Sequence, residues 1–203
     1  MNFRERILAT PLVYKSFKNI VSPQSSIDRI VNEHFVLPKG ARILDLGCGY
    51  GDFAPYLSED CDYLGVDNNQ KYIETARIRN RDNGANFLVG DISDEAVFNA
   101  GEFDYVVMIG VLHHLPTEAI QGMLKNVQRI LSTYGKFVAL EPVFDSDQRL
   151  LARLLIAADR GRFVRDSEGY EHLLKEYFSE VTSSVVTGLL RIPYSHVFLE
   201  ASK

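Results

Sequence analysis

Three scarcities bound what this 203-residue chain can be. Only two cysteines are present, Cys48 and Cys61, too few for a secreted disulfide framework and without the paired spacing of a zinc site, so no metal ligand set is expected. Long apolar runs are missing as well. The longest, Tyr105 to Leu112, falls far short of the roughly 20 residues that a membrane span needs, so no stable membrane insertion is expected. Met1 to Phe17 mixes Arg, Glu and Lys among its apolar residues and lacks the h-region of a secretory signal, which points to a cytoplasmic chain with reduced thiols. Excess positive charge is the third absence: the formal net charge of -5 argues against nucleic acid as a partner, because such binders neutralise phosphates with clustered Lys and Arg.

What remains is an ordinary globular composition, 46% hydrophobic and 24% charged, at a length that suits one α/β domain. From Ala41 onward, short apolar runs alternate with helix-like segments, the mark of a doubly wound, mostly parallel sheet with helices on both faces. Strands are expected at Arg42 to Leu46, Tyr63 to Val66, Asn86 to Val89, Tyr105 to Ile109 and Lys136 to Leu140. A helix over Thr117 to Leu131 buries Ile120, Met123, Leu124, Val127, Ile130 and Leu131, with Thr117 as its N-cap. After a helix near Glu168 to Phe178, the runs Val181 to Thr187 and His196 to Glu200 bring the sheet to seven strands. Too few residues separate those two for a parallel crossover, so the last strand is antiparallel. Residues 1–38 read as a helical extension broken around Ser22 to Ser26, lying against the sheet or over its ligand. Residues 39–203 form the domain proper, with a lid-like insert at 142–167.

The most informative stretch is Ile43 to Phe53, I-L-D-L-G-C-G-Y-G-D-F, a buried strand running into Gly47, Gly49 and Gly51. Glycines there let backbone and ligand approach closely. A dinucleotide fingerprint is spaced G-x-G-x-x-G, but here Asp52 follows Gly51. Asp45 and Asp52 flank the loop and would repel a pyrophosphate, whereas they suit a ligand that carries a sulfonium and an ammonium group. Asp52 is equally read as a cap of the following helix. Asp45, at the end of a buried strand, needs a partner to offset desolvation. The second strand ends on Asp67, about twenty residues past the first glycine, where an acid can accept both hydroxyls of a ribose. The other reading of Asp67 is a turn former before Asn68 and Asn69. The third strand ends on Asp91, placed to accept from an adenine amino group or to cap a helix near Ser93.

Taken in order, Asp45, the three glycines, Asp67, Asp91 and F-D-Y-V-V-M-I-G-V-L-H-H-L resemble the class I S-adenosylmethionine-dependent methyltransferases over most of the chain. The resemblance implies S-adenosylmethionine as cofactor, a small-molecule acceptor as partner, and backbone contacts from Ile109 and Gly110. Cys48, Asn68 and Ile92 complete the expected cofactor-binding set. The insert and L-L-R-I-P-Y near residue 190 resemble a bacterial subgroup found beside polysaccharide-building genes, which implies a sugar or lipid-linked saccharide as acceptor.

Methyl transfer needs an acceptor held in line with the methyl group and, where required, a base. His113 and His114 follow the fourth strand and Glu141 ends the fifth, so all three gather at the ligand edge of a parallel sheet. His113 is the expected base and Glu141 its orienter, although Glu141 holding loop structure is an equal reading. In the insert, Leu150, Leu151, Leu154, Leu155 and Ala158 line one helical face, expected to be buried against the domain, with a membrane-surface role as the lesser reading. Arg160, Arg162 and Arg165 could bind an anionic acceptor, or belong to a solvated loop.

Base N-methylation of DNA usually calls for [DNS]-P-P-[YFW] after strand four, and Ile109 to Leu112 do not match it. Cytosine C5 chemistry needs a Cys there, and neither Cys is. The remaining rivals are a non-catalytic S-adenosylmethionine-binding protein and an NAD-dependent oxidoreductase, the latter disfavoured by the acidic loop.

Overall fold

The computed structural model describes residues 24–35, 37–57, 60–146, 148, 150–157 and 161–203. Residues 1–23 of the N-terminal extension lie outside them, as do Ala158 and Arg160 of the insert. In chain order the elements are α1 (Gln24–His34), β1 (Arg42–Leu46), α2 (Ala54–Leu57), β2 (Asp62–Asp67), α3 (Gln70–Arg79), β3 (Asn86–Val89), β4 (Phe103–Ile109), α4 (Thr117–Ile130), β5 (Leu131–Phe144), α5 (Leu150–Ala157), β6 (Arg165–Asp166), α6 (Ser167–Lys175), β7 (Glu180–Thr187) and β8 (Ser195–Ser202). Short 3-10 turns at Glu95–Asn99 and Leu112–His114 flank β4.

The main sheet runs β3-β2-β1-β4-β5-β8-β7, and the two-residue β6 pairs with the far end of β5. The first five strands are parallel, while β8 is antiparallel to both β5 and β7. Both faces of the sheet are covered. On one, α4 contributes Ile120, Met123, Leu124, Val127 and Ile130 to a cluster with Val106, Met108, Phe137 and the α6 residues Leu173 and Leu174. On the other, Ile30 and Phe35 pack with Ile43, Tyr63, Ile73, Phe87, Tyr105 and Phe198. The Phe35 ring lies 6.4 Å from Tyr105 and 6.3 Å from Phe198, which ties the extension to the sheet.

Four local expectations give way. The helix α4 stops at Ile130, and Leu131 instead opens β5 by pairing with Phe103. The strand then shifts register, because the next pair is Tyr105 with Lys136, so polar Ser132 to Gly135 sit in an irregular stretch. It also continues past Glu141 to Phe144, taking the first residues assigned to the insert. The N-cap of α4 is Pro116, whose side chain has neither a hydrogen-bond donor nor an acceptor. Thr117 Oγ1 turns away to accept from Arg165 Nη2 at 3.2 Å. The buried face of α5 is Ala152 and Ile156, whereas Leu150, Leu151 and Leu154 face solvent. The helix is apolar nearly all round, so periodicity alone has no face to choose.

Candidate functional site

A cleft of about 1260 Å³ opens over the carboxyl ends of β1 to β4, where ligands of open α/β sheets sit. Its inner wall starts at the glycine loop. Gly47 has φ 80° and a Cβ there would meet Val111 Cγ2 at 2.5 Å; Gly51 has φ 68° and would meet the Phe87 ring at 2.9 Å. Both glycines are therefore required twice over, by left-handed backbone and by contact with the neighbouring turns. Gly49 has nothing within 4 Å of its Cβ direction and lines the cleft. Arg79 fixes the far side of the loop, with Nη2 at 2.7 Å from Asp52 and Nη1 donating to the Tyr50 carbonyl at 3.2 Å.

Asp45 is buried and accepts a 2.5 Å hydrogen bond from the Tyr63 hydroxyl. Its carboxyl is pushed up to about 7, mainly by burial and further by Asp67 and Asp52, with Tyr63 opposing. Burial, aided by Asp45 and Asp67, likewise pushes the Cys48 thiol up. Tyr63 is absent from the residues expected above. The signal for it lies in the strand pairing: Tyr63 stands opposite Ile43, two positions before Asp45 and on the same face. Asp67 accepts from Gly49 N at 3.0 Å and Asn69 N at 2.8 Å, and its carboxylate lines the cleft beside Asn68. It thus builds the turn while retaining acceptor capacity, since a carboxylate has about four acceptor sites. Asp91 spends Oδ1 on the Ser93 amide (2.9 Å) and hydroxyl (2.6 Å), and these bonds hold its carboxyl below the usual range. Asp91, Ile92 and Asn68 all line the same wall.

From the other side come Ile109, Gly110 and the turn after β4. Glu141, fully buried, organises that turn. Oε1 accepts from Val111 N and Leu112 N, both at 2.8 Å, while Oε2 accepts from His113 N at 3.3 Å and lies 2.6 Å from His113 Nδ1. The two readings of Glu141, orienter and loop holder, describe one set of contacts. His113 is 5% exposed and its ring is closed off along one edge by Gly161, where an added Cβ would lie 2.0 Å from His113 Cδ2. His114 is exposed, its ring 4.0 Å from that of His113, and both line the cleft.

Of the three insert arginines expected to meet an anionic acceptor, the two described ones, Arg162 and Arg165, do not line the cleft. Arg162 is exposed and off the cleft wall. Arg165 turns inward instead: its guanidinium donates to the carbonyls of Phe163 (2.8 Å), Leu115 (3.3 Å) and Leu112 (3.5 Å) and to Thr117, which clamps the turn bearing the two histidines. The outer wall comes from elsewhere, from Ile30 of α1, Leu155 of α5, and Leu189, Leu190, Ile192 and Tyr194 of the β7–β8 connection, with His196 at the start of β8. No group of three or more His, Cys, Asp or Glu placed to hold a metal occurs among the described residues. No described helix is long and apolar enough to cross a membrane.

A family model described as a methyltransferase domain matches residues 43–135. The demethylmenaquinone methyltransferase of Staphylococcus carnosus is 25% identical over 189 residues, 82% of this chain and 78% of that protein. The sterol 24-C-methyltransferase of Schizosaccharomyces pombe is 32% identical over 127 residues, 57% of this chain but 33% of the relative. Among solved structures, a Pyrococcus horikoshii protein superposes with a TM-score of 0.72 at 24% identity over 100% of both chains. A Haemonchus contortus phosphoethanolamine N-methyltransferase superposes at 0.77 and 16% identity, over 99% of this chain and 59% of the other. The last two show the fold. Residues 43–135 thus match a methyltransferase domain, and with the glycine loop and ordered acids that match and the relatives support a class I S-adenosylmethionine-dependent methyltransferase. The acidic lining fits that cofactor: Asp45, Asp52, Asp67 and Asp91 line the cleft with no Lys or Arg among its described lining residues, which suits a sulfonium and an ammonium and repels a pyrophosphate.

Proposed function

We propose that this methyltransferase acts on a small acceptor joined to an apolar chain, a lipid-linked saccharide being the example that the sequence suggests. The observation that carries this reading is the two-part cleft lining: acids and backbone at the glycine loop, and Ile30, Leu155, Leu189, Leu190 and Ile192 beyond it. An apolar wall of this kind gains little from a bare sugar, whereas it buries hydrocarbon at roughly 25 cal/mol per Å². Tyr194 and His196 on the same wall supply polar ends for an acceptor head group.

On this reading Asp67 binds the ribose hydroxyls, while Asp91 with Ile92 and Asn68 borders the adenine. Gly47, Cys48, Gly49 and Gly51, with Ile109 and Gly110, hold the methionine end under the Asp45 carboxylate. The cofactor supplies an electrophilic methyl group on a positively charged sulfur. His113 accepts the acceptor's proton: with Nδ1–H donated to Glu141, its Nε2 carries the free lone pair. Glu141 acts through His113 and is a positioning residue, and His114 borders the approach to it. Incubating the protein and methyl-labelled cofactor with a total cell extract, then partitioning the products, tests the acceptor class. Label is expected in the organic phase, and label confined to water-soluble products would overturn the apolar-chain reading.

A further inference from the structure

Helix α5 turns apolar residues both ways. Ala152 and Ile156 face the domain and Leu155 faces the cleft, while Leu150, Leu151 and Leu154 are 80%, 57% and 66% exposed, with Phe163 at 37%. A helix resting on a globular domain normally presents polar side chains outward, so three exposed leucines in eight residues require a partner of their own. The charge pattern narrows what that partner is. Residues 149–165 contain five Arg against one Asp, and residues 1–23 contain four Lys and Arg against one Glu, in a chain whose net charge is -5. Cationic charge is thus concentrated in two segments that are also rich in apolar residues, and everything else is strongly acidic.

We infer that the outer face of α5 is a docking surface for an anionic lipid bilayer. Exposed leucines enter the headgroup boundary, and Arg153 on the same helix, with Arg162 beyond it, meets acidic headgroups. A second copy of the chain fits the face poorly. A two-fold contact would set one net-positive segment against its twin, and two turns of helix are small against the roughly 800 Å² per partner of a stable interface. Leu155 makes the surface continuous with the apolar wall of the cleft, so a bilayer on α5 brings the cleft mouth to the headgroup layer. The binding is peripheral and does not rest on the acceptor proposed above, because it is measured without acceptor or cofactor.

The test is flotation of the full chain with vesicles of phosphatidylcholine alone and of phosphatidylcholine with about one third phosphatidylglycerol, at low and physiological salt. Binding is expected on the anionic vesicles, at least tenfold weaker on the neutral ones, and weaker as salt rises. Leu150→Ser with Leu154→Ser should cost at least tenfold in affinity, and Arg153→Gln alone about fivefold, from roughly one kcal/mol per cation near the surface. Both variants alter exposed side chains, and an unchanged thermal melt confirms folding. Failure to float with either vesicle, or unaltered flotation of the leucine variant, would overturn the proposal. So would a concentration-dependent dimer that the leucine variant abolishes, which would assign the face to a second copy.

Discussion

The inner half of the cleft is made from strand ends and the turns that leave them, whereas its outer half is borrowed from α1, α5 and the β7–β8 connection. Every side chain of the inner half hangs from a sheet whose register is fixed by backbone pairing, and its polar groups are locked by hydrogen bonds such as the four that Glu141 accepts. The outer half presents mainly apolar side chains, Ile30, Leu155, Leu189, Leu190 and Ile192. On the proposed reading, this arrangement puts cofactor chemistry on rigid elements and acceptor choice on connecting segments, which tolerate change best.

The sharpest way to break that contrast is Glu141→Leu, which strands three backbone N–H groups and the His113 ring in the interior. A loss of about 3–5 kcal/mol in urea unfolding is expected. A loss under about 1 kcal/mol would show that the turn after β4 is held by other contacts. Next in size is Asp67→Ala, expected to weaken cofactor binding at least tenfold in titration calorimetry, from two charge-assisted hydrogen bonds of roughly 1.5–3 kcal/mol each. Acceptor KM should stay unchanged at saturating cofactor if the two halves are independent.

A further effect is a pH dependence confined to the inner half. Asp45 rises from 3.8 to about 7 on folding, so between those values the folded, cofactor-free chain binds more protons than the unfolded one. Stability should therefore fall as pH rises from about 4 to 7, while affinity for the cationic cofactor grows several-fold as the carboxylate forms. Thermal melts and calorimetry at pH 5, 6 and 7 check both signs, and Asp45→Asn should flatten them.

Legibility from sequence follows the same division. The bounds of β1 and β3 and the apolar face of α4 could be read residue by residue, because doubly covered strands and a one-faced helix leave clean patterns. The carboxylates at strand ends followed from that, since a polar group closing an apolar run has few places to be. Ser132 to Gly135 look like loop but sit within β5, held there by pairing on either side. In α5 a lone Arg153 among seven apolar residues is too little to mark the outer face, so periodicity does not choose the buried side. Leu189, Leu190, Ile192 and Tyr194 could have been found by one further step, because a final antiparallel pair returns its connection to the ligand edge of the sheet. Arg165 could not, as nothing in a sequence tells a carbonyl clamp from an anion site.

The position of β8 has a bearing on how this chain comes to be folded. The strand formed by residues 195–202 lies between β5 and β7 and pairs Lys136 with Ser202 across more than sixty intervening residues. During synthesis the β5 edge stays open until those eight residues emerge, and β7, made earlier, waits without a neighbour. A deletion there would remove a plank from inside the sheet and set β7 adrift, so even small losses near residue 200 should yield an aggregation-prone chain with an unpaired edge.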